Sequence, residues 1–262
     1  MIQTTSNDAA VSLFLVDSVI LNAQDGSFLE QFLSDAERSR AIELKDEGRR
    51  AEYVVAHATL RRLLAPRLNI TPSEVQFASE ANGRPCLHAA HASALQFSIS
   101  HTSGLVALAV HPDARVGVDV ESLAKRRDAR ALAQRFFHPQ EKRYVDDAAN
   151  ESEAMLRLLR CWTMKEAWFK ALGGSSSWVL SDLCFAFDDE RSLVAPILPA
   201  AQGEGAFGLQ LWSAAIATQH VVALAWRDTA LVHPSAVHCV RLSALDLKEK
   251  PIDLEVKYAW PV

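Results

Sequence analysis

Nothing in this chain has the spacing of a metal finger or a disulfide framework. Its four cysteines, Cys86, Cys161, Cys184 and Cys239, form no CxxC pair, and they read as reduced, mostly buried thiols of a cytoplasmic protein. Basic charge is not in excess either. With 27 Lys and Arg against 32 Asp and Glu the formal net charge is -5, so the chain as a whole makes no electrostatic case for nucleic acid. A local basic site for a small anion stays open. The opening "MIQTTSNDAAVSLFLVDSVIL" lacks a basic leader and Asp17 interrupts its apolar run, which argues against a secretory signal or a membrane span. No HExxH, GxSxG, P-loop or GxGxxG signature occurs, so nucleophilic Ser or Cys catalysis and dinucleotide binding have no support.

What is present is an ordinary globular composition, 49% hydrophobic and 23% charged over 262 residues. That suits one large domain or two of modest size. No low-complexity linker divides the chain, but a weak repeat does. "LFLVD" (13–17), "FLSDAER" (32–38) and the helical pattern of "EYVVAHATLRRLLA" (52–65) have counterparts in "VGVDV" (116–120), "FFHPQEK" (136–142) and "LRCWTMKEAWFKAL" (159–172). Each half closes on a similar strand, "LVALAV" (105–110) and "VVALAW" (221–226). The pattern predicts an α+β protein of two pseudo-symmetric halves, 1–112 and 113–230, forming a pseudo-dimer with a ligand at the seam. A C-terminal extension follows over 231–262, broken by Pro234 and Pro251. A further helix is predicted over 123–137, with Arg126, Arg127, Arg130 and Arg135 on its polar side.

The run "VGVDVES" (116–122) carries the first chemical signal. Asp119 and Glu121 are two apart in a β-branched strand, so both carboxylates project from one face. Like charges on a half-buried surface need something positive between them. In "WTMKEAWFK" (162–170), Glu166 and Lys170 share a helix face and Lys165 lies about 100° round from Glu166. A third carboxylate beside two strand carboxylates suits a hard divalent cation, best met by magnesium. Taken alone, the strand pair also fits a solvated edge, and Glu166 with Lys170 also fits a surface ion pair. "FSISHTSG" (97–104) adds a polar turn with Ser100 and His101 that can hold a phosphate. "NGRP" (82–85) is a turn whose Arg84 either grips a phosphate or faces solvent.

In order, "GRP", "SISHTSG", "GVDVES", "FFHPQEKRYV" and "RCWTMKEAWFKALG" resemble the 4′-phosphopantetheinyl transferases of the Sfp type, over roughly residues 10 to 228. The resemblance implies a monomeric pseudo-dimer with coenzyme A between its halves. It also implies Mg²⁺-dependent transfer of the phosphopantetheine arm to a serine of an apo acyl or peptidyl carrier protein, releasing adenosine 3′,5′-bisphosphate. By the same resemblance, Asp119, Glu121 and Glu166 are the magnesium ligands. Coenzyme A contacts fall on Arg84, Pro85, Ser100, His101, Lys165 and Lys170, and the 3′-phosphate contacts fall on Arg38 and Arg40. Glu166 and Lys170 are the catalytic pair. The family commonly has an arginine where this chain has Glu52, and Arg50 or Arg49 is the expected substitute. The arginines of 126–135, with Arg157 and Arg160, are candidates to face an acidic carrier. Fatty acid, polyketide and non-ribosomal peptide synthesis all remain open as pathways. Two other classes stay in view, a magnesium nuclease and a carrier-binding protein without catalysis.

Overall fold

The computed structural model describes residues 11–18, 23–124, 127–173, 180–188, 193–197, 209–216, 219–227, 237–250 and 254–260. It is mixed α+β, as the sequence pattern predicts. Strand β1 (Ser12–Asp17) is followed by helices α1 (Ala23–Glu30), α2 (Asp35–Glu43) and α3 (Glu47–Leu68). A short hairpin, β2 (Phe77–Ser79) and β3 (Pro85–Leu87), leads to β4 (Gln96–Thr102) and β5 (Leu105–His111). The series then resumes with β6 (Val116–Ser122), α4 (Ala129–Phe136), α5 (Pro139–Asp146) and α6 (Glu151–Leu172). Strands β7 (Cys184–Asp188), β8 (Leu193–Ile197), β9 (Leu209–Ile216) and β10 (His220–Arg227) follow. The predicted helix at 123–137 begins only at Ala129, because β6 runs through Ser122 and the Asp128 side chain caps the helix at Ala131 N–H. Pro234 and Pro251 lie outside the described residues.

The two long helices start and stop for the same local reasons. Asp46 and Asn150 cap their first turns, and Asn69 and Gly173 end them in the left-handed region at φ 55° and 93°. Both helices are 22 residues long, and both ends are 104 residues apart. The Phe-x-x-x-x-Glu segments that precede them are capping boxes, with Ser34 and Glu37 opening α2 and His138 and Glu141 opening α5. Each box glutamate also meets a buried cation 24 residues further on. Arg61 Nε donates to Glu37 Oε2 at 2.7 Å, and Lys165 Nζ lies 2.7 Å from Glu141 Oε2. Burial raises the Glu37 carboxyl, but hydrogen bonds from His57, the Ser34 amide and Arg61 bring it down to about 2. At Glu141 burial prevails over the pull of Lys165, and the carboxyl is raised.

With β11 (His238–Leu242), β12 (Glu249–Lys250) and β13 (Leu254–Trp260) from the tail, the strands form a five-stranded sheet, β12-β11-β1-β5-β4, and a six-stranded sheet, β6-β10-β9-β13-β8-β7. The sheets pack face to face. Leu13, Leu15, Leu105 and Ala107 meet Val116, Val118, Val120, Trp212 and Leu224 in one buried cluster. Helix α3 covers the outer face of the first sheet, over Phe14, Val16, Phe97 and Leu108. Helix α6 covers the second, where Met164, Ala167 and Trp168 meet Leu211, Ala223 and Ala225. The tail is woven into both sheets. Strand β11 pairs in parallel with β1, β12 pairs with β11, and β13 pairs antiparallel with β9. Arg62 clamps the tail by donating to Ala244 O and Leu245 O. Among the described residues no helix is long and apolar enough to cross a membrane.

Gly117 sets how closely α6 approaches β6. A Cβ there would lie 2.0 Å from Ala167 O and 2.6 Å from Ala171 N, both rigid backbone. Two outcomes follow from this packing. Gly117→Ala pushes α6 off the strand and lowers the melting temperature by several degrees, read by calorimetry. Lys165→Met strands Glu141 as an unpaired buried acid and costs about 3–5 kcal/mol in urea unfolding at neutral pH. Adding Glu141→Gln restores at least half of that loss; no restoration would show that the pair is not the source.

Candidate active site

Strand β6 is the terminal strand of one sheet and meets β4, the terminal strand of the other. Among the described residues no ladder joins them, so the outer edge of β6 presents unpaired backbone groups that a buried position cannot tolerate. Side chains satisfy them. Arg84 Nη2 donates to Val116 O at 2.9 Å, and Lys170 Nζ donates to Val118 O at 2.9 Å. Val118 N–H donates to Ser98 Oγ at 3.1 Å, and Val120 N–H donates to Ser100 Oγ at 3.3 Å. Arg84 Nη2 also reaches Phe97 O on β4 at 3.1 Å. Thus "NGRP", "FSISHTSG" and the last lysine of "WTMKEAWFK" converge on the edge that carries "VGVDVES".

The alternation of β6 turns Val116, Val118 and Val120 into the core between the sheets, and Gly117, Asp119 and Glu121 toward α6. Asp119 Oδ1 accepts two hydrogen bonds, from Ser100 Oγ at 2.8 Å and from Lys170 Nζ at 2.8 Å. Its other oxygen, Oδ2, is buried with no hydrogen-bond partner. Glu166 stands one helical turn before Lys170 on the same face. Burial raises its carboxyl, and the charges of Asp119 and Glu121 raise it further against the pull of Lys170. The structure therefore brings together Asp119, Glu121, Glu166 and Lys170. In it, the positive group against Asp119 is the Lys170 ammonium.

Could these acids hold a magnesium ion? Among the described residues no three acids, histidines or cysteines close into a ligand cage. Magnesium does not require one, because it usually takes one or two carboxylates and fills its shell with waters and substrate phosphates. An orphaned, buried Asp119 Oδ2 and a Glu166 crowded by two other acids fit such an ion.

Beside the acids lies a cavity of about 270 Å³, lined by Arg84, Pro85, Phe97, Ser98, Ile99 and Lys170 together with the Asn82–Gly83 turn. Lys170 is thus shared by the cavity and the carboxylate cluster. Arg84 Nη1 is buried without a hydrogen bond, its nearest acid being Glu80 at 4.0 Å. A buried guanidinium with an unused donor favours an anion.

The remaining site expectations fare differently. Lys165 does not join the site. Its side chain is 0% exposed, paired with Glu141 and donating to Leu180 O and Leu183 O. The 100° step from Glu166 turns it into the core of the second half and away from β6. His101 is 44% exposed on its side chain, and its Nδ1 lies 2.9 Å from Glu52, the residue that stands where an arginine is common. Arg38, Arg40 and Arg50 contact Asp35, Glu43 and Glu30, all within the α1–α3 segment. On the other face, Arg130 pairs with Glu151 and Arg157 with Glu153, while Arg126 lies outside the described residues. The sequence pattern missed Ser98 and Glu141. Ser98 was legible as the alternate hydroxyl of "SIS", and Glu141 as the counterpart of Glu37 in the repeat.

Two family models match the chain. One, described as the 4′-phosphopantetheinyl transferase superfamily, matches residues 115–225, and the other, described as 4′-phosphopantetheinyl transferase, N-terminal, matches residues 23–113. A phosphopantetheinyl transferase of Thraustochytrium sp. is 25% identical over 184 residues, covering 66% of this chain and 64% of its own. The 4′-phosphopantetheinyl transferase AcpT of Escherichia coli K12 is 30% identical over 133 residues, covering 51% and 63%. The human L-aminoadipate-semialdehyde dehydrogenase-phosphopantetheinyl transferase is 24% identical over 165 residues, covering 56% and 53%. The chain spans between half and two thirds of the length of the curated relatives it matches. With residues 23–225 covered almost without a break by two models of one kind of transferase, the chain belongs to the 4′-phosphopantetheinyl transferase superfamily.

Proposed function

We propose that this protein transfers the 4′-phosphopantetheine arm of coenzyme A to a serine of an apo acyl or peptidyl carrier protein, releasing adenosine 3′,5′-bisphosphate. The observation that carries this reading is the Asp119 carboxylate. Serine and lysine hold one of its oxygens, the other is orphaned, and a cavity with a buried guanidinium begins at the same lysine. Such a cavity suits the pyrophosphate end of coenzyme A. The two α+β halves, 1–112 and 113–230, form a pseudo-dimer in this reading, and the recurring capping boxes and 22-residue helices support it. The protein acts as a cytoplasmic monomer, with no role for nucleic acid or a membrane.

In the mechanism, Arg84 and Lys170 bind and orient the phosphates. Asp119 and Glu166, with Glu121 beside them, would hold a magnesium ion, which when bound would neutralise charge on the pyrophosphate. The carrier serine oxygen attacks the β-phosphorus as the bond to the α-phosphate oxygen breaks. Phosphoryl transfer of this kind depends on position and charge more than on covalent help. Glu166, one helical turn from Lys170 on the face turned to Asp119, takes the serine proton. Lys170 stabilises the leaving phosphate. His101, held by Glu52, stands near the end of the strand that supplies Ser100.

Incubation with coenzyme A, Mg²⁺ and an apo carrier protein adds one phosphopantetheine arm to the carrier by intact mass. No mass gain across a panel of carriers, with plasmid nicked instead, would replace this reading by a nuclease. Glu166→Gln lowers transfer by about 10²-fold or more while the fold is kept, since positioned acid–base groups typically supply 10²–10⁴-fold. The same variant also has a stability signature. A carboxyl raised in the folded state favours the native protein when protonated, at low pH, and costs stability as pH rises through its folded value. Glu166→Gln in chelator therefore melts higher than wild type at pH 7, and the gap closes as pH falls below the ordinary carboxylate range. An equal gap at all pH values would show that Glu166 is not raised.

A further inference from the structure

We propose that Ser98 is a positioning residue for the reaction, acting through strand β6 on Asp119; this rests on the transferase reading above. Ser98 is buried on β4, and its Oγ accepts the Val118 amide of β6 at 3.1 Å. Val118 immediately precedes Asp119, and its carbonyl accepts Lys170 Nζ. The peptide units on either side of Val118 are therefore pinned, one by Ser98 and the other by the lysine that holds Asp119 Oδ1.

The geometry gives Ser98 and Ser100 different duties. Ser100 reaches both the Val120 amide and the Asp119 carboxylate, so it touches the site directly. Ser98 touches no acid. It is a second rivet, two residues along β4, that fixes the strand on which the acid stands. With Ser100 alone, the bonds from β4 to β6 beyond the shared Arg84 converge on a single hydroxyl, and the strand can swing about it. Two rivets two residues apart set both the spacing and the register of the edges. A shift of about 1 Å at a reacting group far from the mutation can cost on the order of 10²-fold in rate. Ser98 also lines the cavity beside Lys170, and Ser98→Thr keeps the hydroxyl that holds the Val118 amide.

The test compares Ser98→Ala with Ser98→Thr in the full chain. Wild-type transfer to an apo carrier is the control that checks the transferase reading by itself. Ser98→Ala lowers kcat at least tenfold with KM for coenzyme A within threefold, and Ser98→Thr restores kcat to within threefold. Independently of activity, the Val118 amide exchanges with deuterium at least tenfold faster in Ser98→Ala than in wild type or Ser98→Thr. Mn²⁺ binding, measured by calorimetry with no substrate present, weakens at least threefold in the alanine variant alone. Rise of KM with unchanged kcat would make Ser98 a ligand contact, and unchanged kcat, exchange and Mn²⁺ affinity would make it a bystander; either overturns the proposal. Should Ser98→Ala fail to fold, Ser98→Cys, a poorer acceptor of similar volume, carries the same comparison. Wild-type exchange and metal binding as stated, with no transfer to any carrier, would count against the transferase reading and leave the rivet standing.

Discussion

The constraint on which this structure depends is the unpaired outer edge of β6. A strand at the end of a sheet must find partners for alternate amides and carbonyls, and a buried one cannot use water. Here the sheet that could have extended across β4 turns away instead. Four side chains, Arg84, Ser98, Ser100 and Lys170, complete the edge in place of a backbone ladder. A continuous eleven-stranded sheet would have left no gap between the halves. Capping by side chains keeps the halves in register and leaves room beside the strand for a cavity.

That solution ties stability to chemistry. Arg84, Ser100 and Lys170 are edge caps and, in the proposed mechanism, ligand contacts as well. A lysine that donates to Val118 O and to Asp119 Oδ1 at once is fixed in place before any phosphate arrives, which reduces the ordering cost of binding. The same arrangement crowds Asp119, Glu121 and Glu166 into a partly buried space at a cost in folding energy, and Glu166 bears that cost as a raised carboxyl. Gly117 is what makes the crowding possible, since only a residue without Cβ lets α6 lie close enough to carry Glu166 and Lys170 to the strand.

Much of this was legible because it is periodic. Period two placed Asp119 and Glu121 on one face, and period 3.6 placed Glu166 and Lys170 on another. The repeat gave both long helices and both capping-box segments. What escaped were contacts between residues remote in sequence. Lys165 looks like a site lysine when only its neighbour Glu166 is considered; its true partner, Glu141, lies 24 residues upstream and is visible only if the Glu37–Arg61 pair is known. The tail has strand-like pieces broken by Pro234 and Pro251, but their partners, β1 for β11 and β9 for β13, lie far off in sequence and could not be read locally. Glu52 could be seen as an oddity, but its pairing with His101 needed α3 laid beside β4.

The recurrence itself explains why, among the described residues, the second half gathers these acids and the first does not. The long helices share a register of 104 residues, so the first-half counterparts of Glu166 and Lys170 are Arg62 and Pro66. Arg62 lies over Phe28 and Phe32 and holds the tail at Ala244 and Leu245, and Pro66 carries no charge. The face that β1 turns toward α3 carries Phe14 and Val16 instead of acids, and no glycine draws that helix down onto the strand. Moreover β1 is flanked on both sides, by β5 and β11, so it has no bare edge to be capped. The first half therefore has neither the acids nor the bare strand edge on which the second half assembles its cluster. Only the half whose first strand is left at an edge, with a glycine beneath the helix, can gather these carboxylates and still fold.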